Sequence, residues 1–531
     1  MFTVKKRNKI SCYWLVPTLI LSLLFAPNVL FSEEEFSEDF LLEEVTVTAS
    51  RRTQEIQDVA NSITALEMDT IKETRIRSLQ DIMELVPNAV LEPSAVGDNQ
   101  VISIRGVRQA PARISEPAFG LYRNGAYFGG ARTNIGTLID LERVEILRGP
   151  QGGLYGRNAV AGTVNLIYAT PTDRLEGNIS AMYGSFDRTE FEGVLNVPVV
   201  ENKFALRAVG WHHNQDEGEF FNAYLHEYID QKQDVGGRLS ARWDVTPNLE
   251  VLWNFEMQEA EGPEVMAYFK DFGETKKTIM RDTPSLIETE FTYFSQDINW
   301  DTKIGILQLA ATYREYELDG IGDQDFLAPP NSPIPPFPFL PFPANLAGVS
   351  QQIINRFDDI EDAFVEGRWI SNSDQPITWV AGLTYFDEDL ISNFRIDLNT
   401  LIPDPVFGGV GTGSINSEAL IKTESLSAWG EVTWAVSDKL DLIGSLRYSR
   451  DEKELNYASF NLSNNFIETF GVLGLPPIIP LSALVDFVLP PLGNVTSSDT
   501  FEQWSPGIGA RYEFSSNLSV YARINTGFRA G

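Results

Sequence analysis

Residues 138–167 read LIDLERVEILRGPQGGLYGRNAVAGTVNLI: two β-prone segments, LERVEIL and GTVNLI, on either side of a turn that holds Gly149, Pro150, Gly152, Gly153, Gly156 and Gly162. Glycine is indifferent to the positive φ that tight turns of this kind often use. A phosphate cradle would need a GxxxxGK-Ser/Thr frame opening a long helix, and neither is present. The turn divides the chain: the patterns before it are those of a compact soluble domain, the patterns after it those of membrane strands.

The run ERVEILRGPQ…LYG…A.AGTVN resembles the end of the plug domain in TonB-dependent outer-membrane receptors. Ile102-Ser103-Ile104-Arg105-Gly106-Val107 resembles the same family's earlier plug strand and turn, and Glu43-Glu44-Val45-Thr46-Val47-Thr48-Ala49-Ser50 resembles its TonB box. The resemblance covers residues 43–167. It implies a membrane β fold: an α+β plug with a small mixed sheet, held inside an antiparallel transmembrane β-barrel of about 22 strands. It also implies TonB, with its ExbB/ExbD motor, as a partner, and a scarce nutrient as cargo, a ferric siderophore being the commonest class.

The totals fit. A chain of 531 residues is too long for one ordinary domain, although a barrel's size is set by strand number. A net charge of −33 excludes nucleic acid as a partner, because phosphate binding needs a basic face. The 33 Phe, 17 Tyr and 10 Trp suit a protein with two interfacial aromatic girdles in outer-membrane lipid. Lys5, Lys6, Arg7 and Lys9 precede an apolar run from Tyr13 to Ala26, broken by Pro17. That is a secretory signal, short of the ~20 residues of a spanning helix. Cys12, the single cysteine, leaves with it, so disulfides and Cys metal sites are excluded from the mature chain.

The expected organisation is a signal peptide at 1–32, a periplasmic tether with the TonB box at 33–50, a plug at 51–170 and a partial barrel at 171–531. The acidic EEEFSEDFLL of 33–42 reads as flexible. The alternating β-branched residues of the box favour an extended strand. That strand is either the first of the plug or a segment hanging in the periplasm that adds to a sheet edge of TonB. Between Arg51 and Leu91 apolar residues recur at three and four, which predicts helix, stopped by Pro87-Asn88. FGLYRNGAYF predicts a hairpin at Asn124-Gly125.

After Pro171 the period becomes two. Leu239, Ala241 and Trp243 oppose Arg238, Ser240 and Arg242; Leu442 and Leu446 oppose Ser445, Arg447 and Asp451. One apolar and one charged face suit a lipid-facing barrel with a wet interior. Connections alternate between short ones, such as 244–248, 301–303, 371–375, 436–439 and 515–517, and long ones. About thirteen strands follow from this count. An odd, unclosed number leaves backbone groups unpaired in lipid, so an N-terminal fragment of a longer barrel is expected.

No nucleophile, base or metal constellation stands out, so neither an enzyme nor a cofactor is implied. His212 and His213 are strand neighbours on opposite faces and form no chelating pair. The Pro-rich stretch 329–343 reads as a stiff, polyproline-like loop. Candidate ligand contacts in the outward plug loops are Arg113, Tyr127 and Arg132, since guanidinium suits carboxylate or catecholate oxygens and a tyrosine ring offers a stacking face. The resemblance suggests a plug-to-wall latch made by Arg105 and Arg148, with Glu431 the best wall carboxylate because it shares a face with Ser427 and Thr433. Import of cobalamin, haem, saccharide or aromatic cargo, or a passive porin, are the alternatives.

Overall fold

A computed structural model describes residues 46–48, 50–93, 100–108, 116–129, 137–223, 225–263, 278–279, 283–323, 349–373, 375–402, 409–458, 494–515 and 518–529. The signal segment, the acidic tether and the Pro-rich stretch 329–343 lie outside them.

The first part holds short strands β1 (Thr46–Val47), β2 (Gln54–Glu55) and β3 (Ile63–Glu67), helices α1 (Met68–Glu73) and α2 (Leu79–Leu85), then β4 (Ala89–Pro93), β5 (Gln100–Ile104), β6 (Val107–Arg108), β7 (Phe119–Arg123), β8 (Ala126–Tyr127), β9 (Leu141–Arg148) and β10 (Gly162–Tyr168). A mixed sheet runs β3-β9-β10-β7-β8, with β10 parallel to β7 and antiparallel to β9; β4, β5 and β6 form a second small sheet. The helical spacing of 51–91 is only half realised. Ile63 to Glu67 pair with β9 as a strand, because the sheet edge supplies backbone partners that outweigh local periodicity. Helix α2 begins with a capping box, Ser78 and Asp81 each satisfying the other's backbone N–H, and buries Leu79, Ile82 and Met83. Asn124 and Gly125 both have positive φ, 50° and 81°, as a two-residue hairpin turn of type I′ requires.

The second part is one antiparallel sheet of 13 strands. Its members are β11 (Glu176–Gly184), β12 (Arg188–Val200), β13 (Phe204–Gln215), β16 (Lys232–Thr246), β17 (Leu249–Gly262), β19 (Leu286–Thr302), β20 (Gly305–Asp323), β21 (Val349–Ile370), β22 (Ile377–Ile402), β23 (Gly409–Ser437), β24 (Leu440–Ala458), β25 (Val495–Ser515) and β26 (Leu518–Asn525). Short strands β14 (Phe221–Asn222), β15 (Glu227–Tyr228) and β18 (Thr278–Ile279) make a separate three-stranded sheet. Strands β11 and β26 stand at the two edges of the large sheet.

Side chains sort by face as their alternation requires. Ile179, Leu383, Leu426, Ile508 and Ile524 are exposed outward, while Arg238, Ser240, Ser445, Arg447 and Asp451 are buried inward. Outward apolar exposure of this extent is tolerable only against lipid. No described helix is long and apolar enough to cross a membrane.

The inward face wraps the first part. The largest core cluster unites plug residues such as Ile82, Val144 and Val164 with Phe291, Tyr316, Ile360 and Leu390 of the wall.

Candidate functional site

The stretch expected to be the TonB box is docked where described. Thr46 pairs with Glu55 and Val47 with Gln54, and Val47 is fully buried. Thr48 donates its N–H (2.9 Å) and its hydroxyl (3.0 Å) to the carboxylate of Glu145, itself fully buried and bonded by Arg143 Nε at 2.8 Å. Asn165 Nδ2 adds a 3.4 Å bond to Thr48 Oγ1. Of the expected box, Thr46, Val47 and Thr48 are thus held on the plug rather than hanging free, and Ser50 is buried; Glu43, Glu44, Val45 and Ala49 lie outside the described residues. The alternating pattern permits both states. A buried carboxylate facing a backbone N–H and a hydroxyl selects the docked one.

Just after the box, Arg51 turns the chain with φ 59° and buries its guanidinium 4.5 Å from the Tyr155 ring centroid, 5.0 Å from Tyr122 and 5.8 Å from Trp429. It also donates to Gly125 O and lies 3.7 Å from Glu366 of β21. Arg52 donates to Thr378 of β22 at 2.8 Å. Burial pushes the Tyr122 phenol up to about 12, so it stays a donor, and its Oη bonds the Tyr155 carbonyl at 2.6 Å.

The plug is tied to the wall by buried ion pairs. Arg123 meets Glu256 at 2.5 Å, with Arg238 on the same carboxylate at 3.3 Å. Asp140 accepts from Arg207 at 2.6 Å and Arg238 at 3.2 Å. Arg77 reaches Glu190 and, at 3.2 Å, Glu192. Lys453 and Arg157 meet on Glu116, at 2.5 and 2.8 Å. Burial by itself raises the Glu116 carboxyl, but these two cations outweigh it and hold the group well below the usual carboxylate range.

The expected latch is not the one formed. Glu431 does face inward, 3% exposed, but its partner is Arg523 of β26. Arg148 keeps its backbone on Ser62 and has a buried Nε without a partner; Arg105 is exposed and makes no ion pair among the described residues. Both arginines sit at turns of the plug's own sheets, whereas Arg77 and Arg123, which reach wall carboxylates as Arg51 does, leave from a helix start and a strand end that abut the wall.

Tyr127 is packed away, 5% exposed, with its ring edge-on to Tyr122 and Phe386 and its hydroxyl bonded by Asn158 Nδ2 at 2.9 Å. It is a core residue rather than a ligand platform, because β8 faces the wall. Arg113 and Arg132 lie outside the described residues. Glu190, Glu192 and His213 bring ligand atoms within 4.8 Å of one another, but Arg77 occupies both carboxylates.

The glycine-rich turn is built for contact with the wall. At Gly156, φ +85°, a Cβ would stand 2.5 Å from Arg447 Cζ, and at Gly153 one would stand 2.8 Å from Ser445 Oγ. Arg447 in turn donates to the Leu154 carbonyl at 3.3 Å.

A small domain filling a large outward-apolar sheet, tied to it through charges and carrying a docked N-terminal strand, defines a plugged outer-membrane β-barrel. Two family profiles match, one within each part: TonB-dependent Receptor Plug Domain over residues 55–163, and TonB dependent receptor-like, beta-barrel over residues 267–531. The chain belongs to the TonB-dependent receptor family, whose members are receptors and transporters rather than enzymes.

Among curated relatives, the pesticin receptor of Yersinia enterocolitica serotype O:8 is 23% identical over 464 residues, covering 84% of this chain and 61% of that protein. The vitamin B12 transporter BtuB of Vibrio vulnificus is 31% identical over 190 residues, 36% of this chain and 30% of that protein. The ferric yersiniabactin uptake receptor FyuA of Yersinia pestis shares the fold with a TM-score of 0.70 at 18% identity, over 88% of this chain and 65% of that one. The chain therefore spans under two thirds of the length of each of these three relatives.

Proposed function

We propose that the protein imports a ferric siderophore across the outer membrane, drawing on force delivered by TonB and its ExbB/ExbD motor. The observation that carries this reading is the box strand. It is held on the plug by a two-residue β pair and by Thr48 on Glu145, contacts weak enough to be released and replaced by pairing with a partner's sheet edge. A porin has no use for such a strand. Pulling on residues 43–50 loads Arg51 and Arg52 directly, and these tie the plug to Glu366 of β21 and Thr378 of β22.

The siderophore reading rests on relatives of this kind: the ferric enterobactin receptor PirA of Pseudomonas aeruginosa, 27% identical over 273 residues, and FyuA. The BtuB match makes cobalamin the second reading. Binding of ferric yersiniabactin, ferric enterobactin and cyanocobalamin to the purified full receptor separates them. Saturable binding of a ferric complex alone supports the proposal, and binding of cyanocobalamin alone overturns it.

A further inference from the structure

A cavity of about 680 Å³ lies between the plug and the wall. Its wall side is made by lumen-facing residues at the short-turn ends of β17, β19, β20 and β21, among them Leu252, Asp297, Asn299, Gln308 and Arg368, together with the turn at Ser371. Short turns mark the periplasmic end of such barrels. Its plug side includes Thr48, Arg51, Arg52 and Thr53, the residues that tether the box to the plug body.

We infer that this cleft is the preformed periplasmic half of the cargo route, and that cargo leaves along the β17–β21 wall when residues 48–53 are drawn out. The inference rests on the import reading and adds where the route runs.

Three observations carry it. The plug-to-wall ion pairs gather at the edge of the sector and beyond it: Arg77, Arg123 and Asp140 bind β12, β13, β16 and the edge strand β17, and Glu116 and Asp58 bind Lys453 of β24 and Arg511 of β25, while within the sector Arg314 of β20 donates to the Gly129 carbonyl farther from the short turns. Beside the cleft the contacts at its periplasmic level are those of Arg51 and Arg52, within the very segment that traction moves first. Withdrawing that segment removes one wall of the cavity while the flanking ion pairs still hold the plug.

The lining is also prepared for a solvated, hydrogen-bonding passenger. Arg52 keeps Nε and one terminal nitrogen buried without a partner, and the Asp297 carboxylate and the Arg368 guanidinium line the same cavity. Buried polar atoms of this kind are costly unless water or a polar ligand satisfies them.

The test uses a thiol introduced at Asn299 of the full receptor, with any other cysteine of the mature protein replaced by serine. Full receptor carrying Asn299→Cys folds before modification, and periplasm-permeant methanethiosulfonates then add a methyl or a benzyl group. The probe is 55Fe supplied as ferric yersiniabactin to energised cells. The benzyl adduct should cut accumulation by about tenfold, a barrier rise of about 1.4 kcal/mol. Surface binding should stay unchanged, uptake should return on reduction, and the methyl adduct should be mild. Lys203→Cys, on a periplasmic turn outside the sector, should tolerate the same benzyl adduct. Undiminished uptake by the benzylated Asn299→Cys receptor, or equal inhibition at Lys203→Cys, overturns the route. Absence of energised accumulation in the unmodified receptor is instead the failure of the import reading, and the route falls with it.

Discussion

Replacing Arg123 by Met tests the tie that anchors the plug's central hairpin. The guanidinium is 3% exposed, reaches both oxygens of Glu256 at 2.5 and 3.3 Å, and lies between the rings of Tyr168 and Tyr293, 4.2 and 4.3 Å from their centroids. Leaving a buried charge without its partner costs about 3 to 5 kcal/mol. Arg238 remains on the Glu256 carboxylate, which places the loss at the lower end, and the two ring contacts contribute about 1 kcal/mol more. A net cost of about 4 kcal/mol corresponds to a roughly 900-fold rise in local opening. Methionine keeps the apolar stem, so packing is largely conserved. Hydrogen exchange of β7 and β10 amides in the folded receptor reads the opening directly, because those strands pair with each other over residues 119–123 and 162–166. Adding Glu256→Gln should recover part of the loss, since the uncompensated charge is then gone. Acceleration under about threefold in Arg123→Met would refute the reasoning, because the pair would then be worth no more than a solvated surface bridge.

Glu145→Ala removes the acceptor of Thr48 and should free the box; a spin label on Thr46→Cys, slow in the parent, should turn mobile, and an unchanged spectrum would show that the two-residue pair suffices. Glu116 has a folded-state pKa below its ordinary 4.5, so its contribution is complete above that pH and is lost as pH falls below it. Acidifying from pH 5 to 3 should therefore accelerate exchange in β7, and Glu116→Gln should abolish that dependence. Gly162→Ala would put a Cβ 2.2 Å from the Leu147 carbonyl at a φ of +153°, so β10 should separate from β9 at a cost of about 3 kcal/mol or more, read as protease cleavage within 141–168.

Much of the architecture is legible in the sequence because it follows from short-range rules. The period-two faces that set Leu239 and Trp243 against Arg238 and Ser240 are those of lipid and lumen in the structure, and the thirteen-strand count is matched. The Asn124-Gly125 hairpin is a local steric matter and is equally legible. The plug-to-wall partners are not. Which of the plug arginines meets which lumen carboxylate depends on how the plug is rotated inside the wall, a relation between residues up to several hundred positions apart. Glu431 was readable as inward but not as the partner of Arg523. Tyr127 looks like a loop aromatic until β8 is laid against Phe386. The glycines of the turn carry their reason in the wall as well, at Ser445 and Arg447. Docking of the box on Glu145 turns on a buried carboxylate 97 residues away, which no local pattern encodes.

In the proposed import, force enters through the strand that precedes the plug. Deleting Glu43–Ser50 from the full receptor and following 55Fe from ferric yersiniabactin in energised cells tests it most directly. The complex should still bind at the cell surface while accumulation falls to the level of uncoupler-treated cells. Accumulation undiminished by the deletion would contradict it and make the protein a passive pore.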